Sequence, residues 1–336
     1  MQLKKEKNPQ SDNRIFTAIR EVVCNLNLRE NRRETSRLRD NQGGIMTRDS
    51  GHFMLCVVLW SVVFGIVDGY RPVIIVHGLF DGPKQFIQLS KFISETHPGT
   101  SVTTIDLYDD VASLKPLWLQ VSGFSTQIKS IMENAKDGIH LICFSQGGLV
   151  CRGIIATLPE HNVHSLIFLS SPLSGQYGVT SYIKRAFPNC VTHFVYKLCY
   201  NFFGQKISIC NFWNDPHQRE RYLKSSKYLA LLNGEIYHSK LPEWREHFLK
   251  IKKLVLIGGP DDGIITPWQS SQFGFFNSNE TVVEMKYQDW YLRDVFGLKT
   301  LDSRGDVVQC VVSDVKHVFW HSNFTVYENC IEKWLT

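Results

Sequence analysis

The sequence contains nine cysteines in 336 residues, but none of them are in C-x-x-C spacing. This absence argues against a zinc ribbon or a dithiol redox site. A large excess of charge is also missing: the net charge is +5, and residues 1–52 hold eleven Lys/Arg against seven Asp/Glu. The remaining chain is close to neutral and has no basic stripe, so we expect no nucleic-acid partner.

An apolar run long enough to cross a membrane comfortably is lacking as well. The apolar run over 53–67 has about fifteen residues, the length of a signal-peptide core. Small residues at its end, including Gly69, fit cleavage before Tyr70, and an uncleaved signal anchor is the alternative. Met46 fits as a start site for such a signal in some products. We therefore expect no stable span in the mature chain.

Three regions follow from this pattern. Residues 1–52 are polar and are predicted to be a disordered extension. Residues 53–69 are the predicted signal-peptide core and cleavage region, and 70–336 are the predicted functional domain. Two sequons, at Asn279 and Asn323, agree with entry into the secretory pathway as glycosylation sites.

Strand and helix patterns alternate through the first half of this domain, which predicts an α/β fold with a mostly parallel sheet and helices on both faces. We predict strands over 72–77, 102–107, 138–144, 165–170, 254–257 and 307–312, and helices over 86–95, 114–135, 146–157 and 326–334. The pattern breaks between about 174 and 250, where aromatic residues are crowded. This insertion is either a helical subdomain with its own core or a cap that lines an apolar groove over the site, and both descriptions can hold together.

A candidate nucleophile lies where a predicted strand turns sharply into a helix. Ser145 follows the apolar run over 138–144, and Gly147 and Gly148 come directly after it. This context holds a serine hydroxyl exposed at the carboxyl edge of a parallel sheet. The sequence departs from the usual G-x-S-x-G pattern, because Cys143 occupies the position of the first glycine.

A serine nucleophile needs a base and an acid that orients the base, and in this fold they follow the serine in the order acid, then histidine. Asp261 or Asp262 follows a late strand, and His317 follows the last one. The competing residues are less well placed for these roles; they are His77, Asp106, Asp314 and His321.

The oxyanion of such a reaction needs two N–H donors. The backbone N–H of Gln146, directly after the nucleophile, and that of Leu79, in the loop after the first strand, are the expected pair.

Residues 70–336 resemble the palmitoyl-protein thioesterase family. The resemblance lies in the stretches 76–81, 140–152, 170–172, 208–213, 256–271 and 296–300. It implies an α/β-hydrolase fold, a lysosomal location and cleavage of fatty acyl thioesters. It also implies Ser145 as nucleophile and His317 as base. The family's Asp-x-apolar-apolar-x-Pro pattern fits 262–267, which selects Asp262 over Asp261.

Seven cysteines lie beyond the predicted cleavage site. Their spacing suggests three local disulfides, namely Cys143–Cys151, Cys199–Cys210 and Cys310–Cys330, with Cys190 left over.

The predicted function is hydrolysis of a fatty acyl thioester through an acyl-serine intermediate, with the aromatic insertion burying the acyl chain. No metal or cofactor is needed for this chemistry. The alternatives are an oxygen-ester lipase or carboxylesterase, and a catalytically inert lipid-binding protein on the same fold.

Overall fold

Our computed structural model describes residues 69–186, 188–189 and 191–336. The predicted extension over 1–52, almost all of the predicted signal region over 53–69, and Cys190 lie outside the described residues.

Apolar runs form the centre of a six-stranded parallel sheet, as the sequence predicts. The strand order is β2-β1-β3-β4-β5-β8, and every neighbouring pair is parallel. The short strands β6 and β7 form a separate antiparallel pair. The bounds are β1 (Val73–Val76), β2 (Val102–Thr104), β3 (Ile139–Phe144), β4 (Val163–Leu169), β5 (Lys253–Gly258), β6 (Phe275–Phe276), β7 (Val282–Val283) and β8 (Val307–Val311).

Helices connect the strands and cover the sheet. The α-helices are α1 (Ile87–Thr96), α2 (Leu117–Glu133), α3 (Gln146–Thr157), α4 (Ser181–Ala186), α5 (Val195–Cys199), α6 (Ser208–Phe212), α7 (Arg219–Ser225), α8 (Leu229–Leu232), α9 (Leu241–Phe248), α10 (Asp289–Leu292), α11 (Leu298–Ser303) and α12 (Phe324–Val326). The 3₁₀ turns are Pro83–Phe86, Asp110–Leu114, Thr192–Phe194, Gly204–Lys206, Trp268–Gln272, Met285–Tyr287, His317–Phe319 and Glu332–Trp334. Within the described residues, no helix is both long and apolar enough to cross a membrane.

The two faces of the sheet bury two separate cores, because successive side chains of a strand point to opposite faces. In β3, Leu141 and Cys143 belong to the core shared with α2, α3 and the insertion. Ile142 and Phe144 belong to the core shared with α1 and the C-terminal segment. A parallel sheet covered on both faces, with a sharp turn between β3 and α3, is the α/β-hydrolase arrangement. The predicted fold class is confirmed.

The aromatic-rich insertion contains α4 to α9, and its buried aromatic residues pack into the same core as α3. Arg152 of α3, only 3% exposed, joins the two parts. Its guanidinium donates to the Leu173 carbonyl at 2.6 Å, to Asn233 Oδ1 at 3.1 Å and to the Leu232 carbonyl at 3.3 Å. The insertion therefore has no core separate from the sheet.

The end of the chain differs from the predicted helix over 326–334. The structure has the short helix α12, then a π-helix over Tyr327–Ile331, then a 3₁₀ turn. Cys330 in the π-helix is bonded to Cys310 of β8. Three of the five residues in the π-helix are buried in the core beside the sheet, namely Tyr327, Cys330 and Ile331. A π-helix is wider than an α-helix and occurs mostly as a single turn of this kind.

Candidate active site

The turn after β3 holds Ser145 in a backbone conformation that side chains rarely adopt. Its φ is +52° and its ψ is −128°, and the residue is 6% exposed. Such a conformation costs on the order of 1–3 kcal/mol and persists only where the surroundings impose it. A Cβ on Gly147 would lie 2.5 Å from the carbonyl oxygens of Val76 and His77, so this turn packs directly against the end of β1.

Ser145, His317 and Asp262 form one chain of hydrogen bonds. Ser145 Oγ lies 2.9 Å from His317 Nε2, and His317 Nδ1 lies 2.8 Å from Asp262 Oδ2. The His317 N–H also donates to the Asp262 carbonyl at 2.9 Å. The three residues come from the turn after β3, the loop after β5 and the loop after β8, all at the carboxyl edge of the sheet. A serine, a base and an orienting acid in this geometry can activate the hydroxyl as a nucleophile.

The carboxylate of Asp262 is surrounded by donors. Its Oδ1 accepts from the N–H groups of Ile264 and Ile265 at 2.9 and 2.7 Å. Its Oδ2 also accepts from Ser170 Oγ at 2.5 Å and from Trp320 Nε1 at 2.6 Å. Burial alone would raise the pKa of Asp262, but the bonds from His317, Ser170 and the backbone outweigh burial and lower the pKa.

The structure distinguishes Asp262 from its neighbour. Asp261 Oδ2 accepts the backbone N–H of Asp314 at 2.8 Å, so Asp261 ties two loops together and has no bond to His317. Asp314, the other loop acid considered, is exposed and contributes only this N–H.

The two competing histidines have other surroundings. The His321 ring packs 4.9 Å from the Phe86 ring and 5.1 Å from that of Phe144, and burial lowers its pKa to about 4. His77 lies with Nδ1 3.0 Å from the Gly78 carbonyl and Nε2 2.8 Å from the Leu107 carbonyl. His77 therefore stabilises the loop after β1 through hydrogen bonds, and His321 packs between aromatic rings.

The two predicted oxyanion donors lie beside the serine. A Cβ on Gly78 would be 2.8 Å from Ser145 Cβ, so the loop carrying Leu79 runs against the nucleophile. Gln146 is the first residue of α3, and its N–H therefore has no acceptor within the helix. The N–H of Leu79 has no acceptor among the described backbone carbonyls. Both N–H groups therefore stay candidates for the oxyanion donors that the sequence predicts.

Three further residues of the site are not found by a search for a nucleophile, a base and an acid alone. Ser170 directly follows β4 with φ +45° and donates to Asp262 Oδ2, and Trp320 donates to the same oxygen. The stretch 170–172 contributed to the family resemblance, which was the available signal for Ser170. Asp81 is the third: its Oδ2 is buried and has no partner among the described residues. Burial raises the pKa of Asp81, although the charges of His317, His77 and Arg185 act against the rise.

Helix α4 of the insertion covers the site. The Tyr182 ring lies 5.8 Å from the His317 ring and 6.2 Å from the Phe80 ring. Arg185 stacks 4.2 Å over Phe80 and pairs with Asp110 at 2.8 Å. These contacts place the first helix of the insertion next to His317 and the loop after β1.

The structure contains disulfides between Cys143 and Cys151, Cys199 and Cys210, and Cys310 and Cys330. The first joins β3, the strand before Ser145, to α3, the helix after it. Of the sequon residues, Asn279 is exposed in the turn between β6 and β7. Asn323 is half-buried, and its Oδ1 accepts the Val326 N–H.

A serine at the strand–helix turn, joined by hydrogen bonds to a buried histidine–aspartate pair, is the arrangement of a serine-type hydrolase on this fold. Within the described residues, no group of three or more His, Cys, Asp or Glu side chains is arranged to hold a metal ion.

Comparison with known proteins gives the particular family. A family model described as palmitoyl protein thioesterase matches residues 72–317. Lysosomal thioesterase PPT2 of Rattus norvegicus is 56% identical over 267 residues, covering 80% of this chain and 88% of that protein. Lysosomal thioesterase PPT2-B of Xenopus laevis is 48% identical over 287 residues, covering 85% and 99%. The Drosophila melanogaster PPT2 homolog is 38% identical over 282 residues, covering 84% and 98%. The chain belongs to the palmitoyl protein thioesterase family, as its motifs predict.

Proposed function

We propose that this protein hydrolyses fatty acyl thioesters through an acyl-enzyme formed on Ser145. The observation that carries the proposal is the unbroken hydrogen-bond chain from Ser145 Oγ through His317 to Asp262. Family membership supplies the class of bond that is cleaved.

In the first step, His317 Nε2 takes the proton of Ser145 Oγ while that oxygen attacks the thioester carbonyl. The N–H groups of Leu79 and Gln146 hold the resulting oxyanion. The negative Asp262 stabilises the imidazolium through Nδ1. The carbon–sulfur bond then breaks, and His317 gives its proton to the departing sulfur, so that a neutral thiol leaves and the imidazole is again free to act as a base. A thiol with a pKa of about 8.5 is a much better leaving group than an alcohol.

In the second step, water attacks the acyl-serine. His317 again takes a proton, this time from the water, and returns it to Ser145 as the ester bond breaks. The products are a free fatty acid and the regenerated enzyme. Each methylene of an acyl chain buried against apolar side chains contributes about 0.8 kcal/mol. The aromatic insertion next to the site is therefore the expected binding surface for the chain.

The proposed location is the lysosome, reached through the secretory pathway. The relatives are named as lysosomal thioesterases. The three disulfides fit an oxidising route, and exposed Asn279 can accept a glycan on the way.

A substrate panel on the purified protein tests the proposal. It compares palmitoyl-CoA, shorter acyl-CoAs, an S-palmitoyl peptide and p-nitrophenyl esters, with Ser145→Ala as the inactive variant. Ser130→Ala, an exposed serine substitution on α2, is the matched control. We expect serine-dependent cleavage of thioesters in preference to oxygen esters, with the control unchanged.

The opposite results have definite meanings. Turnover that survives Ser145→Ala would refute the nucleophile, and preference for oxygen esters would place the protein among lipases or carboxylesterases. No turnover of any substrate by a folded protein would favour the lipid-binding alternative.

A further inference from the structure

The insertion carries an exposed apolar surface in and directly around α5. It comprises Phe194, Leu198, Phe202 and Phe203, and we call it the cap tip. Phe202 is 60% exposed and Phe203 is 77% exposed, with their rings 5.5 Å apart. Clustered aromatic residues facing water mark an interaction site more often than single exposed ones do.

The protein holds the cap tip in one shape. The Asn201 amide donates to two carbonyls in the last turn of α5 at 2.9 Å, and its oxygen accepts the N–H groups of Phe203 and Gly204 at 3.0 Å. Beneath the loop, the Cys199–Cys210 disulfide joins its two ends. The two phenyl rings are therefore presented outward by a fixed backbone.

Basic side chains lie directly on these rings. Lys197 Nζ is 4.7 Å from the Phe194 ring centre. Lys206 Nζ and Lys227 Nζ are 4.6 and 5.1 Å from the Phe202 ring centre. Lysines of this kind lay their apolar stems along the rings and keep the ammonium groups at the rim.

A surface depression beside Phe202 adds more positive charge. Arg221, Lys224 and Lys227 line it, and Glu220 is the acidic residue among its lining side chains. The surroundings of the cap tip therefore carry a clear excess of positive charge, although the described domain as a whole does not stand out as basic.

We propose that the cap tip docks the protein onto an anionic lipid surface, with Phe202 and Phe203 inserted at the headgroup level. Aromatic side chains ringed by lysines are the combination that binds such an interface. A second copy of the chain would meet the same positive charge, which opposes self-association through this surface.

Docking has a consequence for the proposed function, on which this part of the inference rests. The Ser208 hydroxyl in α6, two residues before Cys210, donates to the Ser113 carbonyl at 2.9 Å. Gln146, next to the nucleophile, donates to the same carbonyl at 2.8 Å. The base of the cap tip and the active site are therefore linked through hydrogen bonds to the same backbone carbonyl. Docking would bring the covered site close to membrane-borne acyl thioesters.

Vesicle flotation of the full chain tests the proposal. The protein carries Ser145→Ala, so that the result does not depend on hydrolysis. The vesicles are phosphatidylcholine alone or mixed with phosphatidylserine. We expect binding to the mixed vesicles that weakens with salt, and a fall of about tenfold or more for Phe202→Ser/Phe203→Ser. Lys197→Gln should weaken binding about fivefold.

Matched controls lie outside the cap tip: Tyr287→Ser, an equally exposed aromatic residue, and Lys136→Gln should bind as the parent does. Thermal unfolding of each variant checks that the fold persists. The proposal is overturned by no binding to mixed vesicles at low salt, or by equal binding of the double variant. Loss of self-association in the double variant, measured by light scattering, would assign the surface to a second copy instead. Failure of the thioesterase proposal would appear in the substrate panel and not in flotation.

Discussion

Two aspartates carry charge near His317, and their pKa values are shifted in opposite directions. Asp262 is 2% exposed and its pKa is lowered, whereas Asp81 is only half-buried and its pKa is raised. The more deeply buried carboxyl is thus the one that ionises more readily. The difference is in the partners, because Asp262 accepts from several donors and one oxygen of Asp81 has none. Hydrogen-bond donors decide the direction here, and burial alone does not.

The largest expected effect comes from replacing Asp262, the aspartate with more hydrogen-bond donors. Asp262→Asn removes the charge that stabilises the imidazolium and disturbs the orientation of His317, so kcat should fall roughly 10⁴-fold. Asp261→Asn is the neighbouring control and should change kcat only slightly, because Asp261 bonds the Asp314 backbone. Steady-state kinetics with palmitoyl-CoA measures both. A greater loss for Asp261→Asn would reverse the assignment of the acid.

Trp320→Phe should have a smaller effect on the same carboxylate. The variant loses the Nε1 donor at 2.6 Å, and a hydrogen bond to a charged group is worth about 2 kcal/mol of unfolding free energy. The pKa of Asp262 should rise. A lowered pKa contributes stability above the unfolded-state pKa that is lost as pH falls through the folded-state pKa, so the loss should begin at higher pH in the variant.

Denaturant unfolding across acidic pH measures this change. Trp290→Phe is the matched control, because Trp290 is similarly buried and its Nε1 has no acceptor among the described residues. The same acid sensitivity in both variants would mean that the tryptophan donor does not set the pKa of Asp262.

Asp81→Asn should change the free energy of unfolding in the opposite direction to Trp320→Phe. A raised carboxyl pKa means that stability is fully present below the unfolded-state pKa and is lost as pH rises through the folded-state pKa. The variant does not titrate, so it should be more stable than the parent at neutral pH, by about 1 kcal/mol. The gain should disappear below the ordinary aspartate pKa of about 3.9. Urea unfolding at neutral and acidic pH measures the gain, and a loss of stability at neutral pH would contradict it.

Arg185→Ala should produce the smallest change. Arg185 is one of the positive charges that restrain the raised pKa of Asp81, and its pair with Asp110 is largely exposed. Exposed pairs contribute about 0–1 kcal/mol. The stabilising effect of Asp81→Asn should be slightly larger in the Arg185→Ala background, which a double-mutant cycle of urea unfolding measures. An equal effect of Asp81→Asn in both backgrounds would show that Arg185 does not act on this carboxyl.

The sequence predicts the sheet well, because strand runs and turn glycines are local signals. Ser145, Asp262 and His317, which the sequence suggests as a set, lie within hydrogen-bond distance of one another in the structure, while their catalytic roles stay predictions. The predicted strand over 138–144 begins one residue before β3, and the one over 254–257 is one residue shorter than β5 at each end. The donors around Asp262 were not predictable in this way. Ser170 and Trp320 reach that carboxylate from distant parts of the chain, and only the three-dimensional fold brings them together. The closing segment is helical over the predicted range, but its change from α-helix to π-helix to 3₁₀ turn was not predictable, since periodicity does not distinguish these helix types.

Arg152 has a consequence for how the molecule melts. It extends from the helix that begins directly after Ser145, and from a buried position it donates to carbonyl and amide oxygens of the insertion. If the insertion opened as a separate unit, this guanidinium would lose its hydrogen-bond acceptors and remain next to the aromatic rings of Phe273 and Phe296. Calorimetry should therefore record one cooperative endotherm for the sheet and the insertion together, with equal van't Hoff and calorimetric enthalpies.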